Sequence, residues 1–302
     1  MVISFKSLTK IPMIILFFIS LSGYAQIPVN KNDSIKLKLD GMLHGTIQWQ
    51  ESEDSISWVD IEGANHNFFN LKAEKAMFYR AKVSSGSCIP IYSDIQEISI
   101  IEFRCGDTLI DNRDGKKYPT LLIGDQCWMA VNLDLGSMII NGSQTSSDNG
   151  VIEKFCYNND ANNCKVYGGL YHWNEMMNYT TIESTQGICP VGWHIPSDNE
   201  WISLEIALGM HPTTAHLENS WRGTDEGKKM IEGGSSGFNA LLSGNAVEGG
   251  FFNSIGEFSY LHSSTQYGQF AWRRCLSKFY DQVGRFNSFP KSYYLSVRCV
   301  KD

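Results

Sequence analysis

The sequence predicts an exported chain in two parts, an all-β module followed by an α+β domain. Three observations carry this. An apolar leader opens the chain, residues 27–101 alternate in short strand-like runs without helical periodicity, and the composition changes at Cys105. Beyond that cysteine Gly, Trp, Tyr and Asn become frequent and a clear helix signal occurs. The parts are a leader (1–25), the all-β module (26–102) and the α+β domain (103–302).

In the leader, Lys6 and Lys10 precede the apolar run from Ile11 to Leu21, and Gly23-Tyr24-Ala25 places small residues at the cleavage subsites. This is the pattern of a secretory signal peptide, too short and wrongly flanked for a membrane anchor. Gln26 rather than cysteine would follow cleavage, so a lipid anchor at that position is not expected. No second long apolar run follows, so membrane insertion of the remaining chain is not expected either. Cleavage removes Lys6 and Lys10 and leaves 23 basic against 32 acidic residues, a formal charge of −9. A mildly acidic chain without basic runs argues against nucleic acid or an anionic membrane as partner. All eight cysteines lie beyond the leader, an even count in an oxidising compartment, where disulfides are the default.

Within the module, "TIQWQES", "ISWVDI", "HNFFNL", "MFYRAKVS" and "IQEISII" are alternating segments separated by polar turns. Their order resembles the immunoglobulin-like modules of bacterial surface proteins. That resemblance implies a β-sandwich with Trp49 and Tyr79 between the sheets and a spacer or presenter role. Cys88 has no obvious partner here.

The α+β domain begins with a hairpin signal, in which Asp114-Gly115 and Gly124-Asp125 are turn dipeptides around the alternation of Tyr118 to Val131. "QGICPVGWHIPSDNEWISL" (186–204) then gathers a cysteine, a histidine and two carboxylates. Ser197 and Glu200 form the S-x-x-E capping box of a helix that carries Trp201, Leu204 and Leu208 on one face and stops at Gly209. Asp198 and Glu200 are thereby explained as first-turn acids favoured by the helix dipole. Cys189 and His194 could be imagined as a nucleophile and its base, but no motif supplies an orienting partner or an oxyanion hole. His194 is expected to be a packed histidine bonded to backbone, and the stretch a structural joint.

Taken with "YPTLLIGDQCWMAVNL", "CYNNDANNCKVYGGLYHWNEMMNY", "SSGFNALLSGNA", "AWRRCLS" and "SVRCVKD", this stretch resembles the major paralogous domain family described in Fibrobacter succinogenes, from about residue 105 to 302. The resemblance implies a C-type-lectin-like fold in a secreted or surface protein and leaves the biochemical activity open. The same joint and the "SVRCV" ending are similar to formylglycine-generating enzymes, whose chemistry needs a close cysteine pair that binds copper. The comparable region here offers only Cys275, and that departure speaks against an enzyme.

Three cysteine pairings make physical sense. Cys156 and Cys164 flank a turn-rich loop, Cys105 and Cys127 bracket the first hairpin, and Cys189 with Cys299 would tie the helix start to the last strand, as in lectin-like folds. Cys88 and Cys275 remain, as buried thiols or with one in an intermolecular bond. The lectin-like resemblance suggests calcium as a possible cofactor. The sugar-binding calcium motifs of lectins are absent, and "NNDANN" offers Asn158, Asp160 and Asn162 as weak oxygen ligands that turns explain equally well. His211 and His216 lack the partners zinc requires.

Trp128, Trp173, Trp193 and Trp201 lie inside the family motifs and are expected in the core. Trp221, Phe251, Tyr267 and Tyr280 lie in looser segments and are candidate sugar-stacking rings, with Asn245, Asn253 and Arg273 as polar contacts. Gly-rich "EGGSSGFNALLSGNAVEGG" has no phosphate-loop or dinucleotide spacing. The function expected is therefore non-catalytic binding or adhesion at the cell surface, towards a glycan or a surface protein. The alternatives are a formylglycine-type oxidase and a purely structural part of a surface assembly.

Overall fold

The computed structural model describes residues 2–5, 25–31, 34–40 and 45–302. The apolar run that defines the expected leader lies outside the described residues. Val2–Phe5, inside that leader, forms a strand parallel to Ser34–Leu39. The chain divides into two compact units, residues 1–103 and 104–302. Among the described residues no helix is long and apolar enough to cross a membrane.

Among its described residues the first unit is all β. One sheet runs Ala25–Asn30, Gln96–Ile101, Met77–Ser84, Thr46–Ser52, Val59–Asp60, with Ile91–Tyr92 on the flank of Met77–Ser84; the other joins Val2–Phe5, Ser34–Leu39 and Phe68–Lys72. Met77–Ser84 shows why: every second side chain is buried, the period of a strand with one face on a core. Trp49 and Tyr79 lie in that core with Leu37 and Leu71 of the smaller sheet, and both approach the Phe69 ring at 6.2 Å. The expected strand "ISWVDI" shrinks to Val59–Asp60. Asp54 accepts the Ile56 and Ser57 amides at 2.8 and 2.7 Å, and this side-chain turn displaces the ladder. Cys88 is an exposed free thiol.

The described residues are about 12% helix and 40% strand, a β-rich fold whose few described helices all lie in the second unit. A five-stranded sheet runs Thr108–Ile110, Lys117–Ile123, Gln126–Met129, Val300–Lys301, Trp193–His194. A larger sheet runs Leu170–His172, Tyr294–Ser296, Ser243–Val247, Phe258–Tyr267, Phe270–Ser277, Val283–Phe286, Ser220–Arg222, with Phe251–Ile255 paired to Ser243–Val247. The Gly-punctuated chain beyond Gly209 turns too often for long helices and settles into short strands. The longest described helix is Asp198–Ala207, whose capping box is formed in both directions. Trp128, Trp173, Trp193 and Trp201 are buried, and Trp128 and Trp201 meet at 4.7 Å in the main core.

Disulfides join Cys105 to Cys127, Cys156 to Cys164 and Cys189 to Cys299, while Cys275 is a buried free thiol. The last bridge spans 110 residues and, with the pairing of Val300–Lys301 to Gln126–Met129, fastens the end of the chain to the first hairpin of this unit.

Candidate functional site

The 186–204 stretch is a joint with a buried charge network. Glu200 accepts the Ser197 amide at 2.8 Å, and Ser197 Oγ accepts the Glu200 amide at 3.2 Å. His194 is not bonded through its ring to backbone as expected. Its Nε2 meets Glu200 at 2.6 Å and its Nδ1 meets Asp302 at 2.7 Å. Burial disfavours the imidazolium, but the two carboxylates outweigh it and hold the His194 pKa above its ordinary value.

Asp198 does more than sit in a first helical turn. It accepts Arg274 Nη1 and Arg285 Nη2, each at 2.6 Å, and burial is outweighed by these cations, which lower its pKa. Two turns on, Glu205 is wholly buried and accepts Arg222 at 2.5 and 2.9 Å and Arg274 Nε at 2.5 Å. With both acids closed by guanidinium groups, neither is poised for proton transfer. The arginines were not anticipated. Their signal was present as charged residues inside otherwise apolar strands, "SWR", "AWRRCLS" and "VGRF".

Those strands alternate, so their other face carries a different set. Trp221 pairs with Gly284, Gly284 with Cys275, and Cys275 with Tyr260 across four neighbouring strands. Partners in register project to the same side of a sheet. Arg222, Arg274 and Arg285 turn to the helix; Trp221, Tyr260, Arg273, Cys275 and Phe286 turn away. The rings form a continuous band. Trp221 lies 4.8 Å from Tyr280, 6.4 Å from Phe258 and 6.0 Å from Phe286; Phe258 lies 5.8 Å from Tyr260, and Tyr260 5.4 Å from Phe289. Gly284 makes room for it, since a Cβ there would lie 2.5 Å from the Phe286 ring. Phe279 and Tyr280 are 58% and 47% exposed, Trp221, Phe258, Tyr260 and Phe286 half-buried. Monomeric proteins seldom leave such a band uncovered without an interaction to make.

Of the residues singled out from sequence, Trp221, Tyr280 and Arg273 come to this face, the last 5.4 Å from the Phe286 ring. The others do not. Asn245 is buried and pairs with Asn253 in the Ser243–Val247 hairpin, where Phe251 is exposed. Tyr267 ends its strand 6.0 Å from Trp272. Of the calcium candidates, Asp160 caps the helix Ala161–Tyr167 through the Asn162 amide, Asn162 Oδ1 accepts from Lys165, and Asn158 sits in a left-handed turn at φ 54°. Among the described residues no three His, Cys, Asp or Glu converge as metal ligands. Cys275 lies under the band, and burial pushes its thiol up to about 12. A separate cleft of about 370 Å³, lined by Tyr167, Ile231, Glu232, Leu241 and Leu242 among others, has a single carboxylate and shares no residue with the aromatic face.

Residues 20–102 match a domain of unknown function (DUF8696), so the first unit is described as an all-β module rather than as immunoglobulin-like. No curated protein and no solved structure matches the chain. Residues 121–301, which contain the joint, the arginine network and the aromatic face, match the Fibrobacter succinogenes major domain. The chain belongs to the Fibrobacter succinogenes major domain family.

Proposed function

We propose that this is an exported, surface-associated protein whose second unit, a lectin-like domain, binds a glycan without catalysis on the aromatic face around Trp221 and Tyr280. The observation that carries the reading is the band itself: exposed and half-exposed rings on one face of a sheet whose other face is closed by the arginine network. Aromatic rings offer broad, rigid apolar area to the C–H face of a pyranose, and tyrosine and tryptophan add a polar edge. The disulfide ties support an extracellular setting. The lectin-like arrangement is supported by the closure of the last strand onto the first hairpin. Non-catalytic action is supported by acids locked in ion pairs and by a thiol held protonated. The reading assigns binding to the rings of this face and not to a calcium ion.

The test is binding of the disulfide-intact protein to a broad panel of soluble glycans and insoluble polysaccharides, with calcium and with a chelator. A selective hit that survives the chelator and weakens in Trp221→Ala is expected. Losing a buried aromatic contact is worth about 1.5–3 kcal/mol, roughly ten- to hundredfold in affinity. No hit on the panel, or a hit indifferent to Trp221→Ala, overturns the proposal.

A further inference from the structure

Five arginines of the second unit are buried, and four have evident partners. Arg222, Arg274 and Arg285 share Glu205 and Asp198. Arg298 donates to Asn132 Oδ1 and to the carbonyls of Met129, Phe238 and Asn239 at 2.6–3.1 Å. Arg273 is the exception. It is 5% exposed, yet its Nε and Nη1 have no hydrogen-bond partner, and Nη2 reaches only Ser288 Oγ at 3.5 Å. No carboxylate pairs with it. Its compensation is the Phe289 ring, 3.4 Å from the guanidinium carbon, and Phe286 at 5.4 Å. Cys275 and Tyr260, its neighbours on the face, have pKa values raised by burial and are neutral near pH 7, so neither supplies a counter-charge.

A buried cation with neither an anion nor a full set of hydrogen bonds is unfavourable, and its persistence calls for a use. We propose that Arg273 is the receptor for the acidic group of an anionic glycan, a sugar bearing a carboxylate or a sulfate ester, whose rings lie on the adjoining aromatic band. The inference rests on the glycan-binding reading of that band and names the sugar class. A guanidinium grips a carboxylate or sulfate through two adjacent nitrogens, and Nη2 belongs to both usable edges. The acid approaches from the side of Ser288, an exposed residue that already makes the weak contact with Nη2. Half-buried Phe289 shifts off the guanidinium as the anion replaces its ring.

The test compares three ligands on the full disulfide-intact protein: oligogalacturonide, its neutral methyl ester, and a sulfated glycan such as chondroitin sulfate. An acidic ligand is expected to bind at least tenfold tighter than the neutral ester, and Arg273→Gln is expected to bring its affinity down to that of the ester. Preference for the carboxylated or for the sulfated ligand identifies the acid. Arg273→Met should melt above the wild type without ligand, because it removes a buried charge that has no anion, and cooperative melting of both variants shows that they fold. Equal affinity for acidic and neutral ligands, both weakened by Trp221→Ala and indifferent to Arg273→Gln, overturns the acidic assignment and leaves the glycan reading intact. Absence of any glycan binding overturns both.

Discussion

Glu205→Gln is the sharpest perturbation of the joint that carries the candidate face. Two carboxylates, Asp198 and Glu205, serve three arginines, and Glu205 alone holds both terminal nitrogens of Arg222 and Nε of Arg274. A glutamine has nearly the same shape but brings an amide N–H₂. In either orientation that nitrogen faces a guanidinium N–H, so a donor meets a donor while the three cations keep one carboxylate. Breaking a buried pair by removing one charge destabilises by about 3–5 kcal/mol. For a domain of about 200 residues that lowers the melting temperature by about 6–20 °C, at 2–4 °C per kcal/mol. The assay is urea and thermal unfolding of wild type and variant, with Glu257→Gln as the control. That residue meets Lys278 at 3.3 Å with both side chains nearly half exposed, and exposed pairs contribute about 1 kcal/mol or less. A Glu205→Gln protein within 1 kcal/mol of wild type refutes the reasoning, because the network would then be held by packing and not by charge.

Two further outcomes follow from the same unit. The imidazolium of His194 is favoured in the folded state, so its stabilising contribution is fully present below the ordinary pKa near 6.5 and disappears as pH rises through the raised folded value. The stability difference between wild type and His194→Gln, measured by urea unfolding across pH 5 to 9, should therefore shrink with rising pH, and a constant difference contradicts the assignment. Replacing Cys189 and Cys299 by serine should destabilise by about 5 kcal/mol in the chain-entropy model, against about 2.5 kcal/mol for Cys156 and Cys164, since the loops differ as 110 to 8 residues in separation. Equal losses by denaturant unfolding of the two double variants would contradict that ordering.

What sequence revealed of this protein follows the range of the interactions. The S-x-x-E box at Ser197 was legible because its partners lie within four residues, and the hairpin at Gly124 because its turn dipeptide is local. The tryptophans of the family motifs were legible as core. The role of Asp198 was not, because Arg274 and Arg285 lie 76 and 87 residues away and reach it only through strand pairing. His194 was misread for the same reason, its second carboxylate being 108 residues distant. The aromatic face lies between these cases. Loose, Gly-bordered surroundings marked Trp221 and Tyr280 as exposed, but Phe258, Tyr260 and Phe286 join them only because Gly284 and Cys275 fall in register between their strands. Phe251 shares those loose surroundings and is likewise exposed, but the fold places it with Asn245 on another hairpin. "ISWVDI" was read as a full strand because its apolar residues suit one, while the turn set by Asp54 is a side-chain effect that periodicity does not register.

The most direct test of the glycan reading is calorimetric titration of the best ligand from the panel into wild type and into the Trp221→Ala/Tyr280→Ala double variant. Both proteins should show the same folded, disulfide-bonded state, with affinity about hundredfold lower or undetectable in the variant. Unchanged affinity in the double variant would place the binding elsewhere and contradict the assignment of this face.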